Sequence, residues 1–271
     1  MPELPEVETT VRGLTPVLAG QRLTRVEPRR ADLRKAIPVD LRQRMTGAIV
    51  TALGRRAKYG LIDTDRGDTL IFHLGMSGRW RVDPAEPLAH DHLVIETGEG
   101  RSLALNDPRR FGFLDLWRSD ALDAYPPFAA MGPEPLGPAF TGAYLAEALA
   151  GRAAPIKAML LDQRIVAGLG NIYVCEALHL ARIAPTRPAG QISQVRLDRL
   201  TEAVRDVLLA AIEAGGSTLR DYVRPDGELG YFSKQFLVYG REGEACHCGG
   251  TVRRRVDSGR STFYCPKCQP R

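Results

Sequence analysis

Four of the five cysteines crowd into the C-terminal end as Cys246-His247-Cys248, sixteen intervening residues, then Cys265-Pro266-Lys267-Cys268. Two such pairs, each on a tight turn, fold as a small ribbon closed by metal–thiolate bonds. No other feature restricts the chain as strongly. The ion expected is one structural Zn2+ on Cys246, Cys248, Cys265 and Cys268, because four protein ligands leave no open position for catalysis. The first pair is C-x-C rather than C-x-x-C. That makes a tighter knuckle and puts His247 forward as a competing ligand. Cys175 stands alone in an apolar helical stretch.

The charge is concentrated in the same region. Residues 234–271 hold eight Lys/Arg and three acids, a net +5, which equals the net charge of all 271 residues. The rest of the chain balances to zero, so the ribbon is a basic appendage suited to a polyanion. Between the cysteine pairs, TVRRRVDSGRSTFY reads as two strands around a turn that carries Arg260. Such a hairpin is either a solvated charged surface or a rigid nucleic-acid probe, and the basic excess favours the probe. No apolar run is long enough to span a membrane, and the acidic start is unlike a signal peptide. The expected location is the cytoplasm.

Upstream the pattern divides. Val7, Val11, Leu14 and Leu18 form a helical stripe over 5–19, ended by Gly20. Residues 22–118 read as short strands with Gly-containing turns, a β-sandwich or barrel. Five of the 19 prolines fall between 126 and 138, which marks a linker. Helices follow. One is expected to begin at Asn171 as N-cap after the Gly-rich turn VAGLG, and another runs from Ser193 to the stop at Gly215-Gly216.

Three internal stretches carry candidate chemistry. AGLGNIY places glycines and Asn171 at a helix start, which suits a phosphate and equally suits helix packing. NDPRRFGF puts Arg109, Arg110 and Phe111 after an Asp-Pro turn. Phe111 is then core or, with the arginines before it, a wedge between base pairs. Met76 in HLGMSG is either a filler of a base stack or a core plug.

The chain start, MPELPEVE, is the remaining motif. Pro5, Glu6 and Glu8 suit a first helical turn. Local physics gives no structural reason for Pro2-Glu3. Removal of Met1 would leave Pro2 with a free secondary amine. An α-amine has a pKa of about 7.7–8.0, partly neutral near pH 7. Such an amine attacks an electrophilic carbon to give an iminium, and Glu3 beside it can carry protons.

With MPELPEVE, NDPRRFG, GLGNIY and the four-cysteine finger in this order, the chain resembles the bacterial formamidopyrimidine-DNA glycosylase family over its full length. The short C-x-C knuckle is its departure from the family pattern. The resemblance implies an α+β chain: an N-terminal β-sandwich with flanking helices over 1–125, a linker at 126–140, a helix–two-turn–helix domain over 141–233 and a zinc finger over 234–271. It implies Pro2 as the nucleophile, Glu3 as the acid/base, and Lys58 and Arg260 as further catalytic residues at phosphates. Met76, Arg109 and Phe111 would fill the gap left by a flipped base. Arg110, His92, Lys157, Asn171 and Arg260 would bind DNA, and residues 217–220 fall where the family has a lesion-capping loop. The partner implied is duplex DNA with oxidised purines, held by a monomer.

Two alternatives remain at this level. An endonuclease VIII-type enzyme shares the nucleophile and takes oxidised pyrimidines; Leu4 and the Arg109–Phe111 pair favour the purine enzyme. A non-catalytic zinc-ribbon protein would bind damaged DNA without cutting it, and gives no use for Pro2.

Overall fold

The computed structural model describes residues 1–217, 224–225 and 227–270. The chain divides into two compact units, 1–129 with 212–233, and 130–211 with 234–271. The first crossing, at Ala129/Ala130, falls inside the proline-rich stretch.

The first unit begins with helix α1 (Leu4–Leu18), whose stripe of Val7, Val11, Leu14 and Leu18 is buried. Glu3 is its N-cap in a capping box with Glu6, so Glu3 has the structural reason that the sequence alone does not supply. After α1 the chain turns at Gly20, φ +77°, a left-handed position that glycine fills without strain. Then come β1 (Leu23–Pro28), α2 (Leu41–Met45), β2 (Val50–Arg56), β3 (Tyr59–Thr64), β4 (Asp68–His73), β5 (Arg79–Val82), β6 (Asp91–Thr97), β7 (Ser102–Asn106) and β8 (Phe113–Arg118). They form two antiparallel four-stranded sheets, ordered β1-β6-β7-β5 and β2-β3-β4-β8. The expected β-sandwich is therefore present. Its core draws Leu23, Leu93 and Leu105 from one sheet and Ile62, Leu70 and Phe72 from the other, with α1 and α2 against them. Gly60 pairs with Phe72 across the ladder, and a Cβ at Gly60 would lie 2.0 Å from the Phe72 ring. A short helix, α3 (Pro126–Ala129), ends this stretch.

The second unit holds α4 (Gly142–Leu149), α5 (Ile156–Leu161), α6 (Asn171–Leu180) and most of α7 (Gln194–Glu213). Thr141 caps α4 by accepting from the Tyr144 N–H at 3.1 Å. The cap of α6 is Gly170 rather than Asn171, which occupies the first helical position and so frees its side chain. The finger is the hairpin β9 (Arg253–Asp257) and β10 (Arg260–Tyr264). Its two-residue turn has Ser258 at φ +49° and Gly259 at φ +74°, the pattern that matches the twist of a hairpin. Cys175 packs with Val238, Val252, Cys246 and Cys265, so the lone cysteine belongs to the small core under the finger. No helix among the described residues is long and apolar enough to cross a membrane.

Candidate functional site

The chain start is held from two directions. Oε2 of Glu6 accepts from the Glu3 N–H at 2.8 Å, and Oε1 accepts from the Ser217 N–H at 2.8 Å. All three residues are at most 4% exposed. Two backbone donors offset part of the cost of burying this carboxylate. Glu6 therefore pins the backbone that carries Pro2 and anchors Ser217. Of the 217–220 stretch, residues 218–220 lie outside the described residues. Pro2 is buried and Met1 is exposed at the end of the chain.

Lys58 sits at the tip of the β2–β3 hairpin, after Ala57 at φ +53°, and is buried. Beside this hairpin lies the first residue of HLGMSG, to which the sequence alone gives no role. His73 pairs with Tyr59, stacks on Phe113 at 5.4 Å and accepts the Gly75 N–H at Nδ1, 3.0 Å away. Burial, then the charges of Lys58, Arg34 and Lys35, pull its imidazole down to about 4. The ring is thus neutral with Nε2 protonated. Arg34 and Lys35 add to a cationic face whose only sequence signal is the short run LRK.

The HLGMSG and NDPRRFG turns pack on one another. Gly75 (φ +62°) approaches the Phe111–Gly112 peptide so closely that a Cβ would lie 2.3 Å from it. Buried Asp107 accepts from the Ser77 hydroxyl at 2.6 Å and from the Gly112 N–H at 2.8 Å. This bracing leaves Met76 half-buried and presents Arg109, Arg110 and Phe111 outward, with Phe111 44% exposed. The Arg109 guanidinium lies 4.8 Å from the centre of the Phe111 ring. Of the two readings of Phe111, the core position is excluded. Asp107 and Ser77 escape a reading of the sequence, since one Asp and one Ser in turns carry no signal by themselves.

His92, expected at a phosphate, faces inward: it is 4% exposed and its Nε2 bonds to the Asp107 carbonyl at 2.9 Å. That bond braces the arginine loop. Lys157 is likewise 3% exposed. In the second unit its Nζ donates to the Ser261 carbonyl at 3.1 Å and to Thr262 Oγ1 at 2.7 Å, and burial lowers its pKa. Asn171 Nδ2 donates to the same Ser261 carbonyl at 2.8 Å. Two helices thus clamp β10 next to exposed Arg260.

The four finger cysteines are free thiols with Cys246–Cys268 and Cys248–Cys265 sulfurs 3.6 Å apart. That is far beyond a disulfide bond, about 2.05 Å, and suits a tetrahedral metal–thiolate centre. The group can hold a metal ion.

An antiparallel sandwich led by a pinned proline terminus, a helical unit and a cysteine hairpin define a helix–two-turn–helix protein. The Formamidopyrimidine-DNA glycosylase N-terminal domain matches residues 1–114 and the Formamidopyrimidine-DNA glycosylase H2TH domain matches residues 131–223. The chain belongs to the formamidopyrimidine-DNA glycosylase family. It is 75% identical to the Formamidopyrimidine-DNA glycosylase of Rhizorhabdus wittichii over 269 residues, 99% of this chain and all of that protein. Among solved structures it is similar to the MutM (Fpg) protein of Thermus thermophilus, with 42% identity and a TM-score of 0.87 over 99% of this chain and 98% of the other. It is also similar to Lactococcus lactis Fpg in complex with abasic-site DNA, with 33% identity and a TM-score of 0.91 over both whole chains.

Proposed function

We propose that this chain is a bifunctional DNA glycosylase and AP lyase that removes oxidised purines, 8-oxoguanine and formamidopyrimidines, from duplex DNA. The observation that carries the reading is the pinned chain start: Glu6 fixes the backbone at Glu3, one residue from Pro2. Once Met1 is removed, the Pro2 amine attacks C1′ of the damaged nucleotide. The glycosidic bond breaks, the base leaves with a proton, and the sugar ring opens as an iminium forms. Glu3 carries the proton to the ring oxygen. Loss of a C2′ proton expels the 3′ phosphate, and a second elimination expels the 5′ phosphate. Lys58 and Arg260 stabilise the phosphates as negative charge develops.

Phe111, Arg109 and Met76 fill the stack vacated by the extruded base. Extrusion costs a few kcal/mol, less at a damaged pair. Exposed Phe111 with a guanidinium on its face supports this role. Arg110 adds a phosphate contact, while Asn171 and Lys157 act on DNA through the hairpin that they hold. The finger ion is zinc: a Zn–S bond of about 2.3 Å sets tetrahedral S–S edges of about 3.8 Å, close to the 3.6 Å found. The enzyme works in the cytoplasm, on the chromosome.

Borohydride should trap one covalent protein–DNA adduct on an 8-oxoguanine duplex, with intact mass showing Met1 absent. No adduct, or an adduct on protein retaining Met1, refutes the nucleophile. Faster excision of thymine glycol than of 8-oxoguanine would instead favour the pyrimidine enzyme.

A further inference from the structure

The finger cysteines have a histidine neighbour that the family motifs do not account for. His179, in the last turn of α6, is 2% exposed and its Nε2 lies 3.9 Å from Cys246 Sγ. Its tautomer follows from Gln269. The amide of Gln269 donates from Nε2 to the Ile183 carbonyl at 2.9 Å, which leaves Oε1 on the opposite side. Oε1 accepts from the Cys265 N–H at 2.9 Å and faces His179 Nδ1 at 3.3 Å. Nδ1 must therefore carry the hydrogen, and Nε2 turns its lone pair toward the sulfur. The free Cys246 thiol can donate its S–H to that lone pair; once the thiol is deprotonated, a cation between nitrogen and sulfur takes the place of the proton. An imidazole fixed at one nitrogen by an oxygen and open at the other is the arrangement of a metal-ligating histidine.

The short knuckle supplies a third donor. With a single residue between Cys246 and Cys248, His247 projects beside His179, the two rings 5.4 Å apart. Ligand atoms of His179, Cys246 and His247 all lie within 4.8 Å of one another. Bonds of about 2.0–2.1 Å to nitrogen and 2.3 Å to sulfur span about 3.5 Å at a tetrahedral angle, so the 3.9 Å found needs little adjustment. His179 and His247 border a cleft of about 540 Å³, through which a fourth ligand can reach the ion, while Cys246 is buried. Arg182, Arg196, Arg199 and Lys267 also line this cleft and oppose a bare cation. Four thiolates around one divalent ion carry two net negative charges, however, and a second ion neutralises them at much shorter range.

We propose that His179, His247 and Cys246 form a second, solvent-open metal site that shares the Cys246 sulfur with the four-cysteine site. Thiolate and imidazole donors select a borderline-soft ion of the zinc class over magnesium or calcium.

The test is metal stoichiometry on the full chain. Protein saturated with Zn2+ and freed of excess by gel filtration should carry two ions by elemental analysis. His247→Ala, at an exposed position, and His179→Gln should each carry one. Titration with Co2+ gives an independent readout. The first equivalent should show intense sulfur-to-metal charge transfer, and the second a several-fold weaker increment that both variants lose. One ion in the wild-type chain, or two in both variants, overturns the second site. A chain with no ion overturns the four-cysteine site as well.

Discussion

Replacing Glu6 with Gln tests whether the chain start is held as the geometry says. The carboxylate accepts two backbone N–H groups at 2.8 Å, one from Glu3 and one from Ser217, at a site 2% exposed. An amide of the same shape has one acceptor oxygen. Its NH2 group must then face one of the two donors. A bond to a buried charged acceptor is worth about 1.5–3 kcal/mol, and a donor left facing another donor costs about 1–3 kcal/mol. Local relaxation recovers part of this, so the expected loss is roughly 2–4 kcal/mol. Urea unfolding of the first unit should move by that amount. Because Pro2 is one residue from the disturbed N–H, single-turnover excision should slow by on the order of 10- to 1000-fold. Glu8→Gln is the control: Glu8 lies on the same helix but pairs with exposed Arg12 and with Arg55, a side chain 9% exposed, rather than with the chain start. If Glu6→Gln matches the Glu8 control in both unfolding and excision, Glu6 does not position the terminus.

His73 predicts a pH dependence. Its folded imidazole titrates at about 4, below the ordinary 6.5, so the unfolded chain binds the proton more tightly. The stability it contributes is complete above about pH 6.5 and falls as pH drops toward 4, by up to about 3 kcal/mol; His73→Phe should flatten that part of the denaturation profile. Gly75→Ala places a methyl 2.3 Å from the Phe111–Gly112 backbone at φ +62°. A loss of about 2–4 kcal/mol is expected, with weaker binding to lesion duplex by titration. Strong chelation should abolish amide protection across residues 253–264 in hydrogen exchange, while the first unit's protection stays unchanged.

What can be read from the chain is whatever depends on local periodicity or spacing. The α1 stripe, the hairpin turn at Ser258-Gly259 and the cysteine pairs all behave as their neighbours in sequence dictate. What stays hidden are the contacts of side chains whose partners lie far along the chain. His92 and Lys157 look like phosphate ligands in a basic protein. Their bonds to Asp107 and to Ser261 and Thr262 add protein partners that no spacing in the sequence reveals. Asn171 looks like a cap, yet Gly170 takes that position and Asn171 reaches Ser261, 90 residues away.

Glu3 and Glu6 divide the matter most sharply. A helix start needs acids near its positive end, and that need is satisfied within a single turn, so it shows in MPELPEVE. Glu6 also binds Ser217, 211 residues away, and that bond is decided only when the chain brings both into one dry site. The same holds for His179, an ordinary helical residue until Gln269 fixes its proton and Cys246 meets its lone pair. Spacing determines which groups can share a turn, whereas burial determines which must find a partner, and burial belongs to the tertiary structure.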